Sequence, residues 1–404
     1  KQEDMVLYHA RDMAVLRGSI EGAAVVLASA TPSLETWANA QAGKYRRLDL
    51  PDRYGAARLP DIALVDMRRE NPGRDRWLTE PLVRAVRSRL AAREQSLLFL
   101  NRRGYAPLML CRACGARFGC PDCDAWLVMH RLRQRLVCHQ CGHAEPVPSA
   151  CPHCGRDDCL AACGPGVERL AEEAAALFPE ARIEILSSDI AEGPAALKAR
   201  LAAIAAGEAD IIIGTQIVAK GHNFPLLTLV GVVDADMGLM GGDLRAAERT
   251  FQLLYQVSGR AGRADRPGAA MIQTTAGEHP VFRAMISGDA EGFWRGLAAE
   301  RHALGLPPYG RLAGVIVAGE DEEKTAAVAR ALGQAAPLLT AQGIEVLGPA
   351  PAPIARLRGR VRFRLLVKAA KGIALQDALR TWLAAVKVPA AIRVTVDIDP
   401  QSFL

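Results

Sequence analysis

The chain reads as an α/β protein. A parallel, helix-covered sheet is interrupted by a cysteine-rich insert with room for two zinc ions, and a smaller α+β domain of ferredoxin-like order follows. Three observations predict this. Short apolar runs alternate with helix-period segments from Ile62 to Gln273. Four C-x2-C pairs fall inside that alternation: Cys111/Cys114, Cys120/Cys123, Cys138/Cys141 and Cys151/Cys154. Beyond Leu306-Pro307-Pro308 the order becomes β-α-β-β-α-β.

Taken in order, residues 1–18 are expected as a helix with Leu7, Met13, Val15 and Leu16 among its apolar positions. Residues 23–29 read as a short strand, 32–43 as a helix and 62–66 as a strand. Thr79 is expected to cap a helix ending near Arg93, with Leu82, Val83, Val86 and Leu90 at helical spacing. Residues 97–100 form a buried strand. After the cysteines come a helix from Val167, a strand at 183–186, a helix at 195–206, strands at 210–214 and 227–233, a helix at 244–257 and a strand at 269–273. Leu306-Pro307-Pro308 reads as a linker. The last stretch predicts strand 312–317, helix 322–339, strands 346–348 and 362–367, helix 374–386 and strand 392–397.

At 404 residues, half of them hydrophobic, the chain is long enough for two or three cores. The net charge is +6, which favours a polyanionic partner. Between Arg84 and Arg135 eleven arginines face three acidic residues, a run that fits either a solvated helix face or such a partner. No apolar run approaches the ~18 residues of a membrane span, and no signal peptide is visible. A cytoplasmic location without membrane contact is therefore expected. The chain opens at Lys1, without an initiator Met and inside an apparent domain, as expected of a fragment.

Thiols in that compartment stay reduced, so metal binding outranks a disulfide framework. A C-x2-C pair puts two thiolates on one tight turn, and two such turns complete a tetrahedral zinc site. Pro121, Pro152, Gly115, Gly142 and Gly155 supply the turn chemistry. Four pairs make two sites, and spacing alone allows three ways of matching them. Cys159 and Cys163 read as bystanders.

Other strings suggest phosphate chemistry. In Gln256-x-x-Gly259-Arg260-x-Gly262-Arg263, two arginines three apart beside glycine present rigid forks suited to phosphate oxygens. Gly214-Thr215-Gln216 ends a strand, where α/β sheets bind ligands, and Lys220-Gly221-His222 follows. Ser29-Ala30-Thr31-Pro32-Ser33 lies at another expected strand end, with Thr31 placed to cap a helix that starts at Pro32. Asp234 and Asp236 suit either a phosphate-sensing or a turn role. Asp243, Arg245, Glu248 and Arg249 read as an internal ion-pair network. There is no G-x4-G-K-[ST] string and no D-E-x-H string.

Together these strings resemble the superfamily 2 helicases, and within them the primosomal replication-restart helicases. The resemblance runs from Lys1 to Leu404. It is carried by residues 8–17 (YHARDMAVLR), 29–35 (SATPSLE), 99–107 (FLNRRGYAP), the eight cysteines, 164–169 (GPGVER), 214–225 (GTQIVAKGHNFP), 245–249 (RAAER) and 256–263 (QVSGRAGR). It implies RecA-like lobes: the end of lobe 1 in 1–70, the start of lobe 2 in 71–110, the zinc insert in 111–160, the rest of lobe 2 in 161–304 and a C-terminal domain in 305–404. It implies a 3′→5′ DNA helicase that remodels stalled forks and initiates primosome assembly, using ATP with Mg2+ and two Zn2+ per chain. Ser29 and Thr31 would couple nucleotide state to DNA grip. Thr215, Gln216 and Lys220 would line the lobe interface and DNA track. Arg260 and Arg263 would be arginine fingers, with Gln256 beside the nucleotide. Cys111, Cys114, Cys151 and Cys154 would hold one zinc, and Cys120, Cys123, Cys138 and Cys141 the other. Implied partners are single-stranded and forked DNA, single-stranded-DNA-binding protein and the loading proteins of the primosome and replicative helicase. The family's P-loop and DEEH motif are missing here, so this chain alone is expected to be inactive. At 187–190 (SSDI) only Asp189 fits the family's D-T-T string. Alternative readings are a non-catalytic, zinc-containing DNA-binding and assembly module, and an RNA helicase on the same lobes.

Overall fold

The computed structural model describes residues 8–50, 60–73, 76–101, 108–111, 114, 116, 118–124, 127–130, 135–138, 141–157, 160–163, 166–186, 193–216, 224–239, 243–262 and 266–401. In chain order the elements of the first part are α1 (Ala10–Glu21), α2 (Leu34–Gln41), β1 (Asp61–Asp66), α3 (Glu80–Ala91) and β2 (Gln95–Phe99). The insert contributes β3 (Leu108–Cys111), β4 (Val128–His130), β5 (Arg135–Val137), β6 (Ala144–Pro146) and β7 (Leu160–Cys163). Then come α4 (Val167–Leu177), β8 (Ile183–Leu186), α5 (Pro194–Ala205), β9 (Ile211–Gly214), β10 (Leu227–Val232), α6 (Ala246–Ser258), β11 (Ala269–Thr274), α7 (Pro280–Ser287) and α8 (Ala290–Ala303). The last part is β12 (Gly310–Gly319), α9 (Glu322–Gln334), α10 (Pro337–Thr340), β13 (Glu345–Leu357), β14 (Arg360–Ala370), α11 (Leu375–Ala384) and β15 (Arg393–Ile398).

The main sheet has six strands in the order β1-β11-β10-β2-β9-β8, and every pair is parallel. Its strands are continuous apolar runs because both faces are covered. Side chains alternate between the faces. Leu97, Phe99, Ile212, Val230 and Ile272 pack with Phe251, Phe282 and Phe293 from α6, α7 and α8. Leu98, Leu100, Ile211, Ile213 and Leu229 pack with Leu82, Val86 and Leu170 from α3 and α4. Strand β1 lies in the segment 1–70, yet it is hydrogen-bonded along its length to β11. The C-terminal sheet is antiparallel, β13-β14-β12-β15, with α9 and α11 packed around Trp382, Leu332 and Leu365. That strand order is the ferredoxin-like arrangement expected. The insert forms its own antiparallel sheet, β6-β5-β4-β3-β7. No helix among the described residues is long and apolar enough to cross a membrane.

Several local expectations are corrected. Residues 23–29 form no strand, and Val26 is 88% exposed. A strand needs a neighbour to take its backbone groups, and no described strand lies beside this one. Helix α1 begins at Ala10, where the His9 ring accepts from the Arg11 N–H, while residues 1–7 lie outside the described set. Thr79 occupies the N-cap position of α3, but its side chain does not bond the helix: its Oγ1 and its N–H both donate to Gln273 Oε1, at 2.8 and 2.9 Å. Ser33, not Thr31, caps α2, accepting from the Thr36 N–H. The helix expected at 322–339 breaks after Gln334 because Pro337 has no N–H to continue the ladder. The Leu306-Pro307-Pro308 linker is a tight packed turn, with the Leu306 N–H on Arg301 O at 2.9 Å and the Leu306 side chain buried.

Candidate coupling strip and metal centres

Helix α6 is amphipathic, burying Phe251, Leu254 and Val257 against the sheet. Its opposite side receives the strip 29–35, which runs antiparallel to it. The ladder is made of side chains. Gln256 Nε2 donates to Thr31 Oγ1 at 3.0 Å. Gln252 Nε2 donates to Pro32 O at 3.1 Å, and Glu248 Oε1 accepts the Leu34 N–H at 3.1 Å. Arg245 closes the ladder on Glu35 and also meets Glu248 Oε2 at 3.3 Å. The Ser29 hydroxyl accepts the Thr31 N–H at 3.1 Å and shapes the strip's start. The structure thus brings Thr31 and Gln256 into direct contact. Gln252 was missed on sequence, although it precedes Gln256 by one helical turn and so shares its face.

The buried end of this ladder is charged. Arg245 and Glu248 are each 3% exposed. Arg245 also donates through Nε to Pro400 O at 3.2 Å, so one guanidinium ties the strip, α6 and the chain's C-terminal part together. Burial opposes ionisation of Glu35, but the charge and hydrogen bond of Arg245 hold its carboxyl below the usual value. Glu248 shifts the other way: burial pushes it up, Arg245 offsets this only in part, and Glu35 adds repulsion. Asp243 pairs with Arg249 at 2.8 Å, so the expected ion-pair network exists and reaches beyond α6.

Arg260 lies in the turn after α6 and is 7% exposed. The turn is pinned where the Gly262 N–H meets Leu227 O at 3.0 Å, at the entry of β10. Gly262 has φ +69°, and a Cβ there would lie 2.5 Å from Gly268 N, so the close approach to the start of β11 needs glycine. Thr215 and Gln216 follow β9 at the opposite, C-terminal edge of the sheet, with Thr215 buried. Lys220 and Arg263 lie outside the described residues, as does Cys159. Asp234 and Asp236 serve turns. Asp234 Oδ1 accepts the Asp236 and Met237 N–H groups, and Asp236 accepts from Thr274 and Thr275. Burial, with Asp236 nearby, raises the Asp234 pKa.

In the insert, the structure gathers Cys111, Cys114, Cys151 and Cys154 in one cluster and Cys120, Cys123, Cys138 and Cys141 in another, with the sulfurs of each within 4.8 Å of one another. Of the three matchings, the fold selects outer with outer and inner with inner. Sulfur–sulfur separations are 3.7 Å (Cys111–Cys154), 3.8 Å (Cys114–Cys151) and 3.6 Å (Cys120–Cys141). A disulfide would require about 2.05 Å. A tetrahedral zinc–tetrathiolate with bonds of about 2.3 Å has edges of about 3.8 Å, so the donor sets fit zinc. Burial, opposed by the Asp122 N–H and reinforced by neighbouring thiols, pushes Cys120 up to about 12. Cys141 of the same cluster moves the other way: burial opposes its ionisation, but the His143 N–H and hydrogen bonds with the neighbouring thiols lower it.

Two family models match. "Primosomal protein N C-terminal domain" covers residues 302–401, and "PriA DNA helicase Cys-rich region (CRR) domain" covers 120–146. Replication restart protein PriA of Rickettsia felis is 44% identical over 403 residues, spanning 100% of this chain and 62% of the relative. The Bacillus subtilis protein of the same name is 39% identical over 409 residues, 100% of this chain and 51% of the relative. Among solved structures, Saccharomyces cerevisiae Dbp5 bound to RNA and ADP BeF3 is 13% identical with TM-score 0.34, covering 70% of this chain and 52% of that one. Mycobacterium smegmatis helicase Lhr bound to ssDNA and AMP-PNP is 16% identical with TM-score 0.29, covering 58% and 22%. Those scores are too low to support a structural argument. The match to these relatives runs the whole length of this chain, which spans about three fifths of the Rickettsia relative's length and belongs to the replication restart protein PriA family.

Proposed function

We propose that this chain forms the end of the first motor lobe, the second lobe with its zinc insert and the C-terminal domain of an ATP-dependent 3′→5′ DNA helicase of replication restart. The observation that carries the reading is the Thr31–Gln256 hydrogen bond. It joins a strip assigned to lobe 1 directly to the helix that leads into the turn holding Arg260. A P-loop and magnesium on the other lobe would bind the ATP phosphates. Arg260 and Arg263 stabilise charge on the transferring phosphoryl group. Any movement of Arg260 on lobe closure is passed along α6 to Thr31, and so to the grip on DNA. Thr215, Gln216 and Lys220, at the other sheet edge, line the DNA track. Backbone contacts suffice there, because a motor must accept any sequence. Zinc, when bound, fixes the cysteine turns and their loops. Single-stranded and forked DNA, single-stranded-DNA-binding protein and primosome loading proteins are the partners this role requires.

The test uses the protein extended upstream of Lys1. Arg260→Ala should lower DNA-stimulated ATP turnover roughly 10³-fold, the scale for an arginine finger, with zinc content unchanged. Residues 1–404 alone should not hydrolyse ATP. Wild-type turnover in Arg260→Ala, or robust turnover by the isolated chain, would refute the assignment.

A further inference from the structure

The hairpin of β13 and β14 ends on the inner cysteine cluster. Its ladder closes with Leu357 opposite Arg360, and the two residues between them, Arg358 and Gly359, have φ of 52° and 74°. Both lie in the left-handed region, as a two-residue turn matched to strand twist requires. The central N–H groups of such a turn have no partner within the ladder. Here both are used on the insert. The Arg358 N–H donates to Cys123 Sγ at 3.4 Å, and the Gly359 N–H to Asp122 O at 2.8 Å. A third bond returns from the Asp124 N–H to Arg356 O at 2.9 Å. Leu357 packs on the insert's core beside Phe118, Leu127 and Leu136. Among the described residues, Cys120 and Cys141 take N–H bonds from their own turns, at Asp122 and His143. Cys123 takes its bond from another domain, 235 positions away.

We infer that the hairpin tip is an outer-sphere part of the inner zinc site, and that the metal locks the C-terminal domain to the insert. A neutral thiol is a weak acceptor, whereas a zinc-held thiolate carries charge that strengthens an N–H bond to it. The same bond steadies the ligand and disperses its charge, so the dependence runs both ways. The left-handed Arg358 is kept in place because three hydrogen bonds and Leu357 over-determine the tip. This rests on the cysteine clusters alone and stands apart from the motor reading.

The test uses the full chain loaded with zinc. In Arg358→Pro, the new residue has no N–H and cannot adopt the turn's φ. One of the two zinc ions should pass to a chromophoric chelator about 10- to 100-fold faster than in wild type, the other at the wild-type rate. Arg358→Gly keeps both N–H groups and suits the φ, so it should release zinc no faster than wild type. Equal acceleration of both ions, or of neither, overturns the inference. Because proline could damage the hairpin by itself, a second arm leaves the hairpin sequence intact. Amide exchange at residues 356–360 should rise in Cys141→Ala with β12 and β15 unchanged, and should stay at the wild-type level in Cys154→Ala. An unchanged tip in Cys141→Ala, or an equal rise in Cys154→Ala, overturns it.

Discussion

Replacing Arg245 with methionine tests whether one buried guanidinium holds the strip, α6 and the C-terminal part together. Methionine keeps much of the side-chain volume and removes the charge and all its donors. Arg245 and Glu248 are almost completely buried, and the Glu35 side chain is only 21% exposed. The substitution therefore takes the main cation away from two facing carboxylates, leaving only the weaker charge contacts of Arg11 with Glu35 and Arg301 with Glu248. Removing one partner of a buried pair costs about 3–5 kcal/mol. At roughly 2–4 °C per kcal/mol for a domain of about 150–250 residues, thermal unfolding of this lobe should move down by about 6–20 °C. The pH dependence supplies a sign. In wild type Glu35 has a lowered pKa, so its contribution is present above its unfolded value and is lost as pH falls through the folded one. In the variant both carboxyls stay buried and lose their main cation, so burial and their mutual repulsion should raise the folded pKa of Glu35 above the unfolded one and push that of Glu248, already raised, further up. The native state then binds more protons than the unfolded state, and the deficit should shrink as pH falls from 7 towards 5. Glu35→Gln combined with Glu248→Gln in the same background should recover much of the loss. Differential scanning fluorimetry at several pH values reads all three effects. A loss under about 1 kcal/mol, or a deficit that grows on acidification, would show that the carboxylates are not held as this geometry requires.

Further outcomes follow from other parts of the molecule. Metal analysis of the reduced chain should find two zinc equivalents, and chelation should remove local order in the insert together with the metal; one equivalent contradicts the two clusters. Trp382 is fully buried and donates to Leu332 O at 3.0 Å, so Trp382→Ala should cost about 3–5 kcal/mol, read as faster amide exchange across β12–β15 while the parallel sheet is unchanged. The chain should bind single-stranded DNA weakly, with log–log salt slopes of about 0.7 per phosphate contact. Lys220→Ala should reduce that slope by about one such contact, and a flat salt dependence would assign the arginine-rich run to solubility.

Much of the architecture was legible because it is written in local periods. The continuous apolar runs of β2, β9 and β10 announce a sheet covered on both faces. The β-α-β-β-α-β order carries the C-terminal domain, and C-x2-C is itself a local turn. What remained hidden was pairing across long separations. Spacing left three ways to match the cysteine pairs, and β3, β4, β5, β6 and β7 decide between them by folding the insert into one small sheet. Thr79 carries the residue type of a helix cap, but Gln273, 194 positions away, takes its hydroxyl. Residues 23–29 have strand composition, and composition becomes a strand only beside a partner. Glu35 and Arg245 are 210 positions apart, and no periodicity links them. Local patterns fix which surfaces need covering and which side chains can ligate. Which distant segment covers them is decided by how the chain closes on itself, because desolvation rewards any complementary neighbour and only the assembled topology selects one.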